Sequence, residues 1–564
     1  MSSARDLAKR FHERWLHVHP FTATQYGIPG YDDLLPDESE EGQRAWRAEA
    51  DRFHREAEVV AGENDGQLTT ADAITLDCVT EAAAQELALI DMAPEDHTVT
   101  AMHYGGPAAF LAVAARTVLL DEAAAEAYLT RLRGGGAWLD QNAERLRAGA
   151  SRGRLPVAPL AEEAVSWAES VLAAPGASPV LSPKPPSGWS RAEAWEAERQ
   201  AAAADIVHPA LARWADTVRE LLPRARSSEH AGLSWLPGGD ADYAKAIRVY
   251  TTLPLSAEDL HQTGLDHVAA LEARAVELGA GLGLSGLDEV FAAMRDAAGQ
   301  ISPEEAIERA VAAVRRAEER AAEVFPAPLP PPCEVSPMPE FVALGGAAPH
   351  YTPPRLDGGR AGTFWFNTRR PTAGTGWDID VVAFHEAVPG HHLQLSRLQL
   401  LPALPALQRQ RSLPVFSEGW GLYAEQLAEE TGLFTDDRGL LGAVAASLMR
   451  AVRLVVDTGI HAFGWSREQA VEYAAAHVPM PREFMAAEVD RYTVMPGQAL
   501  AYLTGKLEIL RLREEARKRL GPAFSLPDFH AAVLDHGSLP MSTLARGIGV
   551  WLDGQAAAVT SGDR

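Results

Sequence analysis

Phe384-His385-Glu386-Ala387-Val388-Pro389-Gly390-His391-His392-Leu393-Gln394 sets one carboxylate and three imidazoles within eight residues. A hydrolytic zinc needs three protein ligands, an open position, and a nearby base for a water proton. The familiar solution is two His one helical turn apart, with the base directly after the first. His385-Glu386 begins that way, but the fourth residue on is Pro389. In a straight helix His391 would be rotated by about −120° from His385. His392 would be rotated by about −20°, but would sit about 10 Å further along. Neither could share an ion whose bonds to nitrogen are ~2 Å. The helix must therefore break. Pro389 lacks an N–H and clashes with the preceding turn, while Gly390 accepts positive φ. The expectation is that the break swings His391 beside His385, and that His392 points elsewhere, to substrate or a supporting partner. The exchange of His391 and His392 stays open, as does a helix that simply ends at Val388.

Working outward, Ser417-Glu418-Gly419-Trp420-Gly421-Leu422-Tyr423-Ala424-Glu425 supplies the third ligand. Glu418 follows His391 by 27 positions, room for a helix, a loop and a return. Leu398, Leu400, Leu401 and Pro402 suit the end of the first helix, and Pro414 precedes the second. Glu418, Leu422 and Glu425 share one helical face. Glu418 could reach the ion, and Glu425 could brace a ligand imidazole. The ordinary fate of such acids is a solvated face. Trp420 and Tyr423 beside them favour a buried site.

The rest of the chain is mostly helical in pattern. Leu7, Phe11, Trp15 and Val18 recur at helical spacing until Pro20, and 22–33 is loop-like. Helical stretches follow at 38–58, 70–90, 107–119 and 122–147. The Pro-rich 181–189 marks a boundary before 191–221, and 232–243 is turn-like. Ser256 caps a helix to about 278. Ser302 with Pro303 and two acids caps another to about 324. Residues 326–339 are too Pro-rich for helix. Thr363 to Thr368 is β-branched and aromatic, so 333–368 is the candidate small sheet. Helices resume at 380–400, with the break, then at 418–430, 440–461, 466–476 and 498–520. The expected fold is mainly α with a small β-sheet. It divides into an N-terminal helical region (1–180), a middle helical region (181–325) and a catalytic region (326–564), all within one structural unit.

Hydrophobic residues form 47% of the 564, enough for a substantial core and against global disorder. A formal charge of −26, with pI near 5.1, argues against nucleic acid or an anionic membrane surface as partner. Cys78 and Cys333 are too few for a disulfide framework and read as inert buried thiols. The first seven residues lack a basic segment leading into an apolar one, and no apolar run of ~18 residues stands out. The expectation is a cytoplasmic protein without a membrane partner.

H-E-x-x-P-G-H followed by E-G-W-x-x-Y-x-E resembles the bacterial family known as domain of unknown function 885. Ala23-Thr24-x-x-Gly27 and Arg491-Tyr492-x-x-x-Pro496-Gly497-Gln498-Ala499-x-x-Tyr502 extend the likeness over nearly the whole chain. That family in turn resembles helical gluzincin metallopeptidases such as thermophilic carboxypeptidases, angiotensin-converting enzyme and neurolysin. The resemblance implies a large helical body with a deep active-site cleft. It implies His385, His391 and Glu418 as zinc ligands and Glu386 as base. Tyr492 and Tyr502 are the candidate oxyanion donors, with Arg491 as a further donor or a clamp on a substrate carboxylate. Asn367, on a strand expected to take peptide by strand addition, joins His392 and Gln498 as candidate substrate contacts. The expected function is a zinc-dependent peptidase acting on short peptides. The alternatives are a zinc amidohydrolase on a non-peptide amide or ester, and a non-catalytic helical metal- or partner-binding protein.

Overall fold

Capping side chains set where many helices begin. Thr69, Asp121, Ser256, Asp436 and Ser466 each accept a backbone N–H of the first turn, and Ser302 with Glu305 forms a reciprocal capping box. The computed structural model describes residues 4–561 apart from 64–65, 339, 341–342, 344–347, 355–359, 370–374 and 402. Pro402, Pro339 and part of the expected 333–368 sheet segment thus lie outside the described residues.

The fold is mainly α with one small sheet. Three long helix pairs organise it. Glu40–Glu63 packs along Thr70–Met92, Ala257–Gly281 along Asp437–His461, and Pro414–Glu430 along Ala501–Leu520. The last pair crosses on two glycines. A Cβ on Gly419 would lie 2.6 Å from the Gly505 Cα, and one on Gly505 would lie 1.9 Å from the Val415 carbonyl oxygen. Glycine in a helix costs about 1 kcal/mol relative to alanine, but here it lets two backbones touch.

Apolar burial crosses the sequence rather than following it. One cluster gathers Leu7, Phe53, Phe364, Phe384, Trp420 and Leu552, so chain ends, sheet and site helices share a core. A second surrounds Asp437–His461, and a third is built from residues 99–221.

The structure corrects several readings of these elements; among them, the turn-like 232–243 gives way at Gly239 to a helix that runs to Thr251. Part of the 22–33 stretch is helical: Pro20 starts a short helix to Tyr26, and Gly27 closes it at φ 67°. Pro is favoured at a first turn because its missing N–H has no partner there anyway. The Asp437–His461 helix is long and apolar enough to cross a membrane by length and composition, contrary to the sequence reading. Here it is a core helix, with Arg453, Asp457 and His461 buried and hydrogen-bonded along it.

The sheet orders as β1 (Glu334–Pro337), β3 (Thr363–Phe366), β2 (His350–Thr352). β3 pairs parallel to β1 and antiparallel to β2. It is therefore central, and both its backbone edges are already paired. Strand addition of a peptide onto β3 is excluded, because that mode needs a free edge. Cys78 is buried and Cys333 half-buried, and burial pushes both thiols up to about 12.

Candidate metal centre

The expected helix break is present. One helix runs Ile379–Glu386 and the next His391–Gln399. Across it the His392 and Leu393 N–H groups both reach back to the Ala387 carbonyl, at 3.1 and 3.4 Å. The Trp420 indole N–H donates to the Pro389 carbonyl at 3.0 Å, so a backbone group freed by the break is satisfied inside the core. Gly390 is needed for a different reason than expected. Its φ is −81°, not positive. A Cβ there would sit 1.8 Å from the His385 carbonyl oxygen. The glycine permits the close return that brings His391 back beside His385.

The second wall is the Pro414–Glu430 helix. Gly421 makes room for the His385 ring, since a Cβ at 421 would lie 2.5 Å from its Cε1. One turn to either side stand Glu418 and Glu425. The Glu425 carboxylate accepts from His385 Nδ1 at 2.8 Å, the bracing role expected of it. That leaves His385 Nε2 facing Glu418 at 3.4 Å, and His391 Nε2 lies 3.7 Å from the same Glu418 oxygen. The two rings stand nearly perpendicular, with centroids 4.7 Å apart. One ligand atom from each of His385, His391 and Glu418 lies within 4.8 Å of the other two. Bonds of ~2 Å at tetrahedral angles would put ligand atoms about 3.3 Å apart, close to the spacing seen. Nitrogen, nitrogen and carboxylate oxygen is a zinc donor set, so these residues fit the ion.

Electrostatics point the same way. Burial works against a proton on His385, but Glu418 and Glu425 outweigh it and raise the imidazole to about 10. Burial likewise penalises the Glu418 charge, yet the two imidazoles hold its carboxyl well below the usual range. The cluster draws positive charge to its centre. Side-chain exposure rises from 4% at Glu425 through 7% at His385 and 12% at His391 to 25% at Glu418. The open side of the centre is therefore the Glu418 side. His391 Nδ1 is buried without a hydrogen-bond partner among the described residues, so this ring lacks the brace His385 has.

The other candidate residues divide. Glu386 is half-buried on the last turn before the break and makes no hydrogen bond or ion pair among the described residues. His392 turns away from the centre. Its Nε2 meets the Pro331 carbonyl at 2.8 Å and its Nδ1 the Tyr351 hydroxyl at 3.1 Å. Both ring nitrogens are spent on anchoring the sheet, so His392 has none left for substrate. Asn367 is buried, and its amide serves the neighbouring loop through Ala343 and Arg369.

Tyr492 is buried, its hydroxyl donating to Glu488 at 2.8 Å and accepting from Arg453 at 3.1 Å. Arg491 pairs with Glu488 and donates to Gln498 at 2.6 Å. Burial raises the Tyr502 pKa, the Glu418 charge raises it further, and a hydrogen bond with Gln498 works the other way. Arg453 lies 4.4 Å over the Tyr502 ring and was not singled out from sequence. Its place in an apolar helical run hid it. A cavity of about 500 Å³ opens beside Glu488 and Arg491, with His103, Tyr104 and Phe484 in its wall.

Two solved structures share this architecture. One is described as a "putative lipoprotein" from Colwellia psychrerythraea. It is 27% identical, with 98% of this chain and 100% of that chain covered and a TM-score of 0.86. The other, from Shewanella oneidensis, carries the same description with unknown function. It is 16% identical over 97% and 99% of the two chains, with a TM-score of 0.74, and shows the fold alone. No curated protein matches the chain. The family described as bacterial protein of unknown function (DUF885) matches residues 20–548, and the chain belongs to that family.

Proposed function

We propose that the chain is a zinc-dependent hydrolase of gluzincin type that cleaves a peptide or small amide. The observation that carries this is the convergence of His385, His391 and Glu418 on one point, with Glu386 next in sequence to the first ligand. Zinc held there by His385, His391 and Glu418 would supply Lewis-acid polarisation and a water of lowered pKa. Glu386, without another partner, accepts that water's proton and can pass it to the leaving nitrogen. Tyr502 donates to the developing oxyanion from the Glu418 side. On this reading the substrate approaches from the more exposed Glu418 side. Glu425 holds the His385 ring so that Nε2 faces inward. The unbraced His391 Nδ1 favours a second reading, a metal-binding protein without turnover. The proposed compartment is the cytoplasm. The description of the two structural neighbours as lipoproteins concerns those proteins, and cell fractionation tests the matter for this one.

Glu386→Gln tests the proposal. Elemental analysis should find about one zinc per chain in both proteins. Chelator-sensitive digestion of a peptide library should fall by roughly 10² to 10⁴-fold in the variant. A wild type that takes up no zinc, or a variant that digests as well as the wild type, would overturn it.

A further inference from the structure

Glu425 also lines a second cavity of about 420 Å³. Its walls come from the Ala257–Gly281, Pro414–Glu430, Asp437–His461 and Ala501–Leu520 helices. Most charges there are already paired. Arg274 meets Glu429, Arg513 forms two hydrogen bonds to Glu430, and Glu425 serves His385 and lies 3.7 Å from Arg450. Lys506 is the exception. It lines the cavity with no hydrogen bond or ion pair among the described residues, and burial lowers its pKa. The wall itself holds three carboxylates (Glu425, Glu429, Glu430) and two cations (Arg274, Lys506), and each carboxylate has a partner other than Lys506: His385 and Arg450 for Glu425, Arg274 for Glu429, Arg513 for Glu430. Lys506 is thus the wall cation left without a partner among the described residues.

The neutral groups fit the same ligand. Burial and the Lys506 charge lower the His267 pKa, so the ring is neutral and offers one N–H. The Ser447 hydroxyl, also in the wall, makes no hydrogen bond among the described residues. The rest of the wall is apolar, with Leu271, Val444, Leu503 and Leu507, apart from Gln426, whose amide donates to Glu430. A mostly apolar pocket of several hundred Å³ with a few convergent polar groups is the usual form of a small-molecule site. We propose that this cavity binds a small monocarboxylate with an apolar body, its carboxylate on Lys506 with His267 and Ser447 as neutral donors.

Hexanoate is the probe, titrated calorimetrically into the zinc-loaded full chain, with hexylamine as the opposite-charge control. Saturable hexanoate binding at one site is expected, and none for hexylamine. Lys506→Met should weaken binding about tenfold or more, the loss of one charge-assisted contact. Lys506→Arg should keep it within about threefold. Ser447→Leu, which fills the cavity and leaves Lys506 in place, should block it. The proposal is overturned by absence of saturable binding, or by tighter binding of hexylamine. Undiminished binding in a folded Lys506→Met also overturns it. So does binding that zinc chelation abolishes while Lys506→Met does not, because the probe would then sit on the metal.

Discussion

The candidate metal centre and the Arg491–Tyr502 corner both sit where one helix gives way to the next, yet they balance charge in opposite ways. At the corner, Glu488 lies between Arg453 and Arg491, takes the Tyr492 hydroxyl as well, and Arg491 goes on to Gln498. Cations and anion meet there, and of these side chains only the Arg453 Nη1 is buried without a partner among the described residues. At the centre, one carboxylate faces two imidazoles whose outer nitrogen is either braced by another carboxylate or unbonded. A network that satisfies itself holds helices together. A cluster that concentrates acceptors has a place for a cation. Substitutions in the two should therefore fail differently.

The sharpest contrast is between adjacent residues. His391→Ala removes a proposed ligand, and zinc content should fall from about one per chain to under about a tenth. The stability of the metal-free protein should change little, because His391 has few bonds to lose. His392→Ala should keep its zinc and lose about 1–3 kcal/mol of stability, because the Pro331 carbonyl and Tyr351 hydroxyl lose their buried partner. Elemental analysis beside urea unfolding separates them. The opposite pattern would put the second ligand on His392.

The tyrosines give a smaller effect of the same form. Tyr502→Phe should lower kcat by about 10²-fold, with zinc and stability retained. Tyr492→Phe should instead cost about 1–3 kcal/mol of stability, because Glu488 and Arg453 both lose their hydroxyl partner. Steady-state kinetics beside a melt distinguishes the two. A kcat loss confined to Tyr492→Phe would move the oxyanion donor to that residue.

Much of the centre was legible because its parts are close in sequence. A Pro-Gly pair inside a helical pattern and a nearby acidic helix face are local signals, and local geometry then selects His391 over His392. What failed to show depended on three-dimensional contacts, local at Gly390 and distant elsewhere. Gly390 matters through contact with the His385 carbonyl rather than through φ, which no residue pattern reveals. Whether β3 is an edge depends on β1 and β2 both pairing with it, so strand order could not be read from Thr363–Phe366 alone. Asp457 and Arg453 lie in a run that reads as plain core. The residues meeting them, Tyr243, Gly497 and Tyr492, lie far away along the chain.

Acid tests the distinction between self-contained networks and the metal centre most finely. His530 donates from Nδ1 to the Val324 carbonyl at 2.6 Å and accepts the Tyr423 hydroxyl at Nε2, 2.7 Å away. A ring that donates at one nitrogen and accepts at the other is neutral, and burial lowers its pKa to about 3. In the unfolded chain the same ring titrates near 6.5. Below that pH the unfolded state binds a proton that the folded state refuses. The His530 contribution is thus complete above about 6.5 and is lost as pH falls toward 3, by about 1.4 kcal/mol per pH unit. His461, lowered to about 4 by burial and held between Leu233 N–H and the Tyr492 carbonyl, acts in the same direction. Replacing His530 with Gln removes one of these protons. Urea unfolding between pH 6.5 and 4 should then show a slope shallower by about 1.4 kcal/mol per unit, even if the starting stability is lower. An unchanged slope would mean that His530 already carries its proton in the folded state. The Tyr423–His530 pair would then have to share charge as the metal centre does, instead of excluding it.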